Sequence, residues 1–352
     1  MRSIIIILVL SGIANLSFAQ QTQEDYQREI QEYQQQRQEA VRVFLNPNRS
    51  VAERVRALEP YALITDEKLI QQFKEIVYNE QERERIRVAA LRRLDLQVER
   101  DSRLFAYVGT ILRNPETPKV LRREALDRFS RVSFSTFGMF GGKDEIISTF
   151  RELTKDPEQE YRLQGFSYLV QNNDDVAQQM LARGLENPEE ALLPVKESIS
   201  ILSLAGSADY FPVIYKYLNK NQGDAVREEA IRALGRYSEA RKDIIDILET
   251  ERGESESLRL VAMGVLNASY PREFAEIVTP TLRNKETPAS LFTYAVQAEL
   301  YRRDNNNERS RKFQDNRYVP DEFDRLVLEY QNSESVQVSN LAQRYAKRLN
   351  FN

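Results

Sequence analysis

The sequence predicts an all-α protein, an α-solenoid of helix pairs stacked side by side. Three observations predict it. A short amphipathic pattern recurs along the chain at steps of mostly 32 to 40 residues. Most copies place a small residue beside an apolar one, with a second apolar residue three positions on. Between the copies lie further amphipathic stretches, each closed by asparagine, aspartate or proline. A helix pair of this length cannot cover its own apolar stripe, so neighbouring pairs must bury it by stacking.

Asp224 to Arg236, DAVREEAIRALGR, is the clearest copy. Ala230, Ile231 and Leu234 make one stripe of a 3.6-residue helix, and the charged residues between them form the solvated ridge. The copies, in order, are Val55/Leu58, Ala90-Leu91/Leu94, Ala125-Leu126/Phe129 and Gly165-Phe166/Leu169. They continue through Ser198-Ile199/Leu202, Ala230-Ile231/Leu234, Ala262-Met263/Leu266 and Ala295-Val296, and a degenerate copy surrounds Leu341, Ala342 and Tyr345. First helices are expected between them, at Asp66–Tyr78, Ser102–Leu112, Asp144–Leu153, Asp209–Leu218 and Glu273–Leu282.

The N-terminal residues read differently. Arg2, the apolar run Ile4–Leu10 and the small residues around Ser17-Phe18-Ala19 have the form of a secretory signal peptide over 1–19. The run is too short for the ~30 Å hydrocarbon core of a bilayer, so a membrane anchor is the weaker reading. Residues 20–48 follow as a Gln-rich capping helix that becomes amphipathic at Ala40, Val41, Phe44 and Leu45. Asn46-Pro47-Asn48 ends it, because Pro47 disfavours the helical region for its predecessor. Residues 49–300 are assigned to the repeats, and 301–352 to a polar insertion and a C-terminal capping repeat. The expected location is outside the cytoplasm, the periplasm first and the extracellular medium as the alternative.

Two segments form a near-duplicate. TILRNPETPK (Thr110–Lys119) and PTLRNKETPA (Pro280–Ala289) both close a helix with Leu-Arg-Asn and open the next with Thr-Pro. Thr117 and Thr287 are expected to cap the free amides, with Pro118 and Pro288 at the first helical position, where the missing N–H is harmless. Asp156-Pro157-Glu158 and Asn187-Pro188-Glu189 carry the same start signal. Proline at the mouth of the second helix, followed by arginine and alanine, resembles HEAT repeats from about Ser50 to Asn352. The resemblance implies a right-handed α-solenoid of about eight to nine such pairs in one continuous superhelical domain. It implies almost nothing about activity.

Composition narrows the function classes. The chain has no cysteine and no histidine, which removes disulfides, the commonest metal ligand and the commonest general base. Its formal charge of −4 argues against non-specific nucleic-acid binding. No nucleophile–base motif, phosphate-binding glycine loop or zinc motif occurs. The pairs Asp174-Asp175 and Asp321/Asp324, with Asp315 and Glu322, lack the alternating spacing and turn glycine of a calcium loop. The expectation is a non-enzymatic chain without metal or cofactor.

Two features stand apart from the repeat. Residues 132–142, VSFSTFGMFGG, set Phe134, Phe137, Met139 and Phe140 among serines and glycines, which suits a loop that inserts into a partner's pocket. The plainer reading is a seal over a wide helix joint. The stretch 81–131 carries thirteen basic against eight acidic residues, whereas 156–200 carries three against nine. If Arg85, Arg92, Arg93, Arg122, Arg123 and Arg128 lined one face, they would suit carboxylates, phosphates or sulfated sugars. The plainer reading pairs them with glutamates between repeats. The leading expectation is therefore an exported scaffold binding a protein partner through its surface and the aromatic loop. The alternative is a carrier for an anionic small molecule or polysaccharide.

Overall fold

Asp66 shows how the chain begins its helices. Its carboxylate accepts the backbone N–H of Leu69 at 3.0 Å, and Ile70, Phe73 and Val77 then fall on one buried face. Asp101 does the same for the N–H groups of Arg103 and Leu104, ahead of buried Leu104, Phe105, Val108, Ile111 and Leu112. These caps satisfy amides that a helix start leaves without intrahelical partners.

The computed structural model describes residues 25–60, 66–132, 142–250, 253–305 and 320–348. No strand occurs among the described residues. The chain divides into two compact units, residues 1–152 and 153–352.

The first unit holds α1 (25–45), α2 (Val51–Leu58), α3 (Glu67–Tyr78), α4 (Glu84–Arg93), α5 (Asp95–Arg100), α6 (Ser102–Arg113), α7 (Lys119–Arg131) and most of α8 (Lys143–Leu153). α3 packs on α4 and α6 on α7, and the second helices α2, α4 and α7 stack in chain order. Phe129 of α7 anchors the core, stacked on Phe105 at 4.5 Å and edge-on to Phe150 at 5.6 Å.

The second unit holds α9 (Gln159–Gln171), α10 (Asp175–Glu186), α11 (Val195–Leu202), α12 (Phe211–Tyr215) and α13 (Asp224–Leu234). It continues with α14 (Arg241–Glu249), α15 (Glu256–Ser269), α16 (Phe274–Arg283), α17 (Ala289–Asn305), α18 (Glu322–Glu329) and α19 (Val336–Arg348). Sequence neighbours pair, as α10 with α11, α12 with α13, α14 with α15, α16 with α17 and α18 with α19. The second helices α9, α11, α13, α15, α17 and α19 again stack consecutively. Gly235, at the end of α13, permits one of these approaches. A Cβ there would sit 2.1 Å from Cγ1 of Val265 on α15.

The expected first helices are present, with Asp209–Leu218 split into short 3-10 turns around α12. The recurring apolar residue falls at the eighth position of its helix in α2, α4, α7, α9, α11, α13, α15 and α17. These are Leu58, Leu91, Leu126, Phe166, Leu202, Ile231, Met263 and Val296. Two copies therefore align three residues further on than expected: Leu58 rather than Val55, and Leu202 rather than Ile199, is the equivalent of Leu91. The threonine caps are corrected as well. Pro118 itself occupies the N-cap of α7, and the backbone N–H of Thr117 donates to the Asn114 carbonyl at 3.1 Å. The hydroxyl of Thr287 instead donates to the Thr281 carbonyl at 2.6 Å. In both near-duplicates the asparagine does the local work: Asn114 and Asn284 side chains accept the N–H of Glu116 at 3.0 Å and of Glu286 at 2.9 Å.

The signal-peptide segment 1–19, the aromatic residues Phe134, Phe137, Met139 and Phe140, and most of the polar insertion lie outside the described residues.

Candidate functional site

The arginines have to be assigned before any of them is offered to a ligand. Arg54, Arg87, Arg122, Arg227 and Arg259 each occupy the fourth position of a second helix, and each is buried. Each sends its Nε–H back to a carbonyl at the end of the preceding first helix. The acceptors are Phe44 at 2.7 Å, Val77 at 3.1 Å, Leu112 at 2.8 Å, Leu218 at 3.1 Å and Leu248 at 2.8 Å. The last carbonyls of a helix lack intrahelical donors and carry its negative dipole end, so a cation there is doubly favoured. Several of these arginines reach onward too: Arg54 to Glu82 at 3.1 Å, Arg87 to the Tyr107 hydroxyl at 3.0 Å, and Arg227 to both Glu254 oxygens at 2.5 and 3.0 Å. Each clamp thus ties the two helices of a pair together.

The clamp has a sequence signature that the apolar alignment passes over. Asparagine closes the first helix and arginine follows eight residues later, at Asn46/Arg54, Asn79/Arg87, Asn114/Arg122 and Asn219/Arg227. In each case the asparagine carboxamide accepts the N–H two residues on, at 2.9 to 3.0 Å. Spacing alone, read for polar rather than apolar residues, finds four of the five clamps; Arg259 has Glu251 in place of the asparagine.

Of the six arginines singled out in the sequence, Arg122 is one of these clamps and is 1% exposed. Arg92 and Arg128 meet on opposite oxygens of Glu124, at 2.7 and 2.8 Å, and Arg128 also reaches Asp95 at 2.7 Å and Asp127 at 2.9 Å. Burial pulls the Arg93 guanidinium below its usual value, helped by the like charges of Arg92 and Arg128. Its Nη2 donates to the Leu58 carbonyl at 2.5 Å. The structure thus brings Arg92, Arg93 and Arg128 together at the junction of α4, α5 and α7, with carboxylates among them. Arg85 and Arg123 lie at exposed positions on α4 and α7. Of the acids considered for calcium, Asp174 and Asp321 are helix caps: Asp174 accepts from Ala177 N–H at 2.8 Å, and Asp321 forms a capping box with Asp324, whereas Asp315 lies outside the described residues. Among the described residues, no group of three or more His, Cys, Asp or Glu is arranged to hold a metal ion.

The second unit contains a cleft of about 580 Å³ that the sequence does not announce. Tyr215, Lys216, Leu218, Asn219 and Lys220 form one wall, at the end of α12 and just beyond it. Asp243, Asp246, Ile247 and Thr250, on α14 and at its end, form the other. Arg227 and Glu254 close the base as a bidentate pair, and Lys220 adds a bond to Glu254 at 3.2 Å. Burial pushes the Glu254 carboxyl up, but hydrogen bonds and charge from Arg227 and Lys220 outweigh it and hold it below the usual carboxylate range. At one end the Tyr215 hydroxyl donates to Asp243 at 2.8 Å, and that bond raises the Tyr215 phenol. Lysines line one side and aspartates the other.

No protein-family model matches the chain, and no curated protein matches it. No helix among the described residues is long and apolar enough to cross a membrane.

Proposed function

We propose that this chain is an exported, non-enzymatic scaffold: a right-handed α-solenoid of HEAT-like pairs that binds a protein partner. The observation that carries the reading is the recurrent clamp. A buried arginine locks the two helices of a pair through a backbone carbonyl, so the frame is held by interactions independent of the outward side chains. A frame of that kind leaves loops and outer helix faces free to carry recognition. The residues proposed for contact are the aromatic loop (Phe134, Phe137, Met139, Phe140) and the cleft walls of the second unit.

The test is a crosslinking pull-down from the native cell envelope with the wild-type chain and with Phe137→Ala plus Phe140→Ala. Recovery of a defined partner by the wild type and its loss in the double variant are expected. An unchanged partner list would remove the loop from the proposal, and recovery of no protein by the wild type would overturn the scaffold reading itself. Mass spectrometry of the mature N-terminus should begin at Gln20 if the signal peptide is cleaved as read. No observation favours the anion-carrier alternative, because Arg92, Arg122 and Arg128 are bonded within their own unit.

A further inference from the structure

We propose that the cleft between α12 and α14 holds an extended peptide segment carrying one basic and one acidic side chain, the basic one against Asp243 and Asp246 and the acidic one against Lys216 and Lys220. The assignment rests on how charge is divided across it. Asp243 and Asp246 stand three apart on α14, so they share one face of that helix. Lys216 and Lys220 lie on the opposite wall. A ligand of a single sign would be attracted by one wall and repelled by the other, whereas an amphoteric one is attracted by both.

The charges are available. Lys216 is exposed and has no ion pair among the described residues. Asp246 is held only by Lys242, an exposed pair one helical turn away of the kind that contributes little. Asp243 accepts a single phenolic hydrogen bond, from Tyr215, which an ammonium group can replace. By contrast Arg227 and Glu254 satisfy each other at the base and set the shape of the floor; Lys220 also bonds Glu254, at 3.2 Å, but its side chain stays largely exposed. Leu218 and Ile247 supply the apolar surface between the charged rims.

The volume lies within the range of ligand sites, roughly 300 to 1,000 Å³, but the cleft is more open than enclosed. A small molecule there would keep much of its surface in water, whereas a chain passing through gains contacts on both sides. This inference rests on the scaffold reading, since it names the element of the partner that is gripped.

The experiment uses the full mature chain and acetylated, amidated hexapeptides in three forms: one lysine with one glutamate, two lysines, and two glutamates. Binding is read by fluorescence anisotropy, with NMR shift mapping on 215–220 and 243–254. The mixed peptide should bind at least about tenfold more tightly than either single-sign peptide. Lys216→Glu and Asp246→Lys should each weaken it by about tenfold, and the double variant, which exchanges the rim charges, should bind better than either single one. Equal binding of the three peptides, equal binding of free lysine and glutamate, no shifts at millimolar peptide, or indifference to both variants would overturn the proposal. If the peptides fail while the envelope pull-down still recovers a partner, the cleft assignment falls and the scaffold reading stands. If the peptides bind but no partner is recovered, the scaffold reading falls alone.

Discussion

Replacing Arg227 by methionine tests the clamp where its partners are best defined. Methionine preserves most of the aliphatic stem, so the packing loss is small and the polar loss dominates. Two interactions disappear: the bond to the Leu218 carbonyl and the bidentate pair with Glu254, whose side chain is only 1% exposed. Removing one partner of a buried pair leaves the other charge uncompensated and typically costs about 3–5 kcal/mol. Lys220 still reaches Glu254 but is itself largely exposed, so it recovers little of this. The expected loss is therefore about 3–4 kcal/mol in the second unit. Glu254→Gln in the same background removes the orphaned charge and should return roughly 1–2 kcal/mol. Urea unfolding followed by circular dichroism, with hydrogen exchange read on α13 to α15, measures both. The pH dependence carries a sign as well. The folded-state carboxyl of Glu254 titrates below its unfolded value, so its contribution is present above the unfolded value and fades as pH falls through the folded one. The deficit of Arg227→Met relative to wild type should therefore shrink in acid to the part owed to the Leu218 carbonyl bond. A deficit under about 1 kcal/mol, or a double variant no more stable than Arg227→Met, would refute the clamp as a source of stability.

Other substitutions probe other joints. Gly235→Ala forces a methyl group into Val265, and should destabilise the second unit by about 1–3 kcal/mol in urea, with partial recovery in Gly235→Ala plus Val265→Ala. Asp101→Ala removes the cap of α6 and the 2.6 Å contact with Lys74, for about 1–2 kcal/mol at neutral pH. Burial raises the Asp101 carboxyl, but bonds from Lys74 and the helix N–H groups win and lower it, so the difference from wild type should close as pH drops below about 4. Tyr217→Phe leaves the Leu185 carbonyl without the hydroxyl that reaches it at 2.6 Å, and should cost about 1 kcal/mol with faster hydrogen exchange at the end of α10. Unchanged exchange there would show that the carbonyl finds another donor.

The repeat was legible because apolar burial has a period. Ala230, Ile231 and Leu234 lie at a helical interval, and every pair must bury the same stripe. The register slipped at Val55 and Ile199 for the same reason, since a stripe offers apolar residues three apart and periodicity alone cannot rank them. In α2 the buried Arg54 at the fourth position fixes the register, but a charged residue in the core contradicts the pattern being sought, and α11 has Ser198 there and offers no such marker. The cleft was not legible at all. Its lysines and aspartates come from stretches more than twenty residues apart, and each alone looks like an ordinary solvated charge. Only the packing of α12 and α14 sets them opposite one another.

One requirement unites the arginines with residues that resemble them in nothing else. Phe44, Val77, Leu112, Leu185, Leu248 and Leu282 are each the penultimate residue of a first helix, and each carbonyl receives a side-chain donor. In α2, α4, α7 and α15 the arginine at the fourth position supplies it, whereas Arg162, fourth in α9, turns to the carbonyls of Leu192 and Asp156 instead. Where the second helix carries Ser198 or Phe292 at that position, the donor is a tyrosine from the next first helix region: Tyr217 to Leu185, and Tyr330 to Leu282, both at 2.6 Å. The buried carbonyl is the constant and the donor is the variable, as expected if leaving it unpaired costs about 1–3 kcal/mol per repeat. An arginine fastens a pair to itself, whereas a tyrosine fastens one pair to the next. Arginine clamps hold the pairs α1/α2, α3/α4 and α6/α7 in the first unit, and among the described residues the tyrosine donors to these carbonyls belong to the second. The cleft has both beside it, with Arg227 in its floor and Tyr217 between Lys216 and Leu218 on its wall. That wall is anchored through Leu185 to the preceding pair and through Leu218 to the following helix, so its lysines are presented from a backbone fixed on both sides.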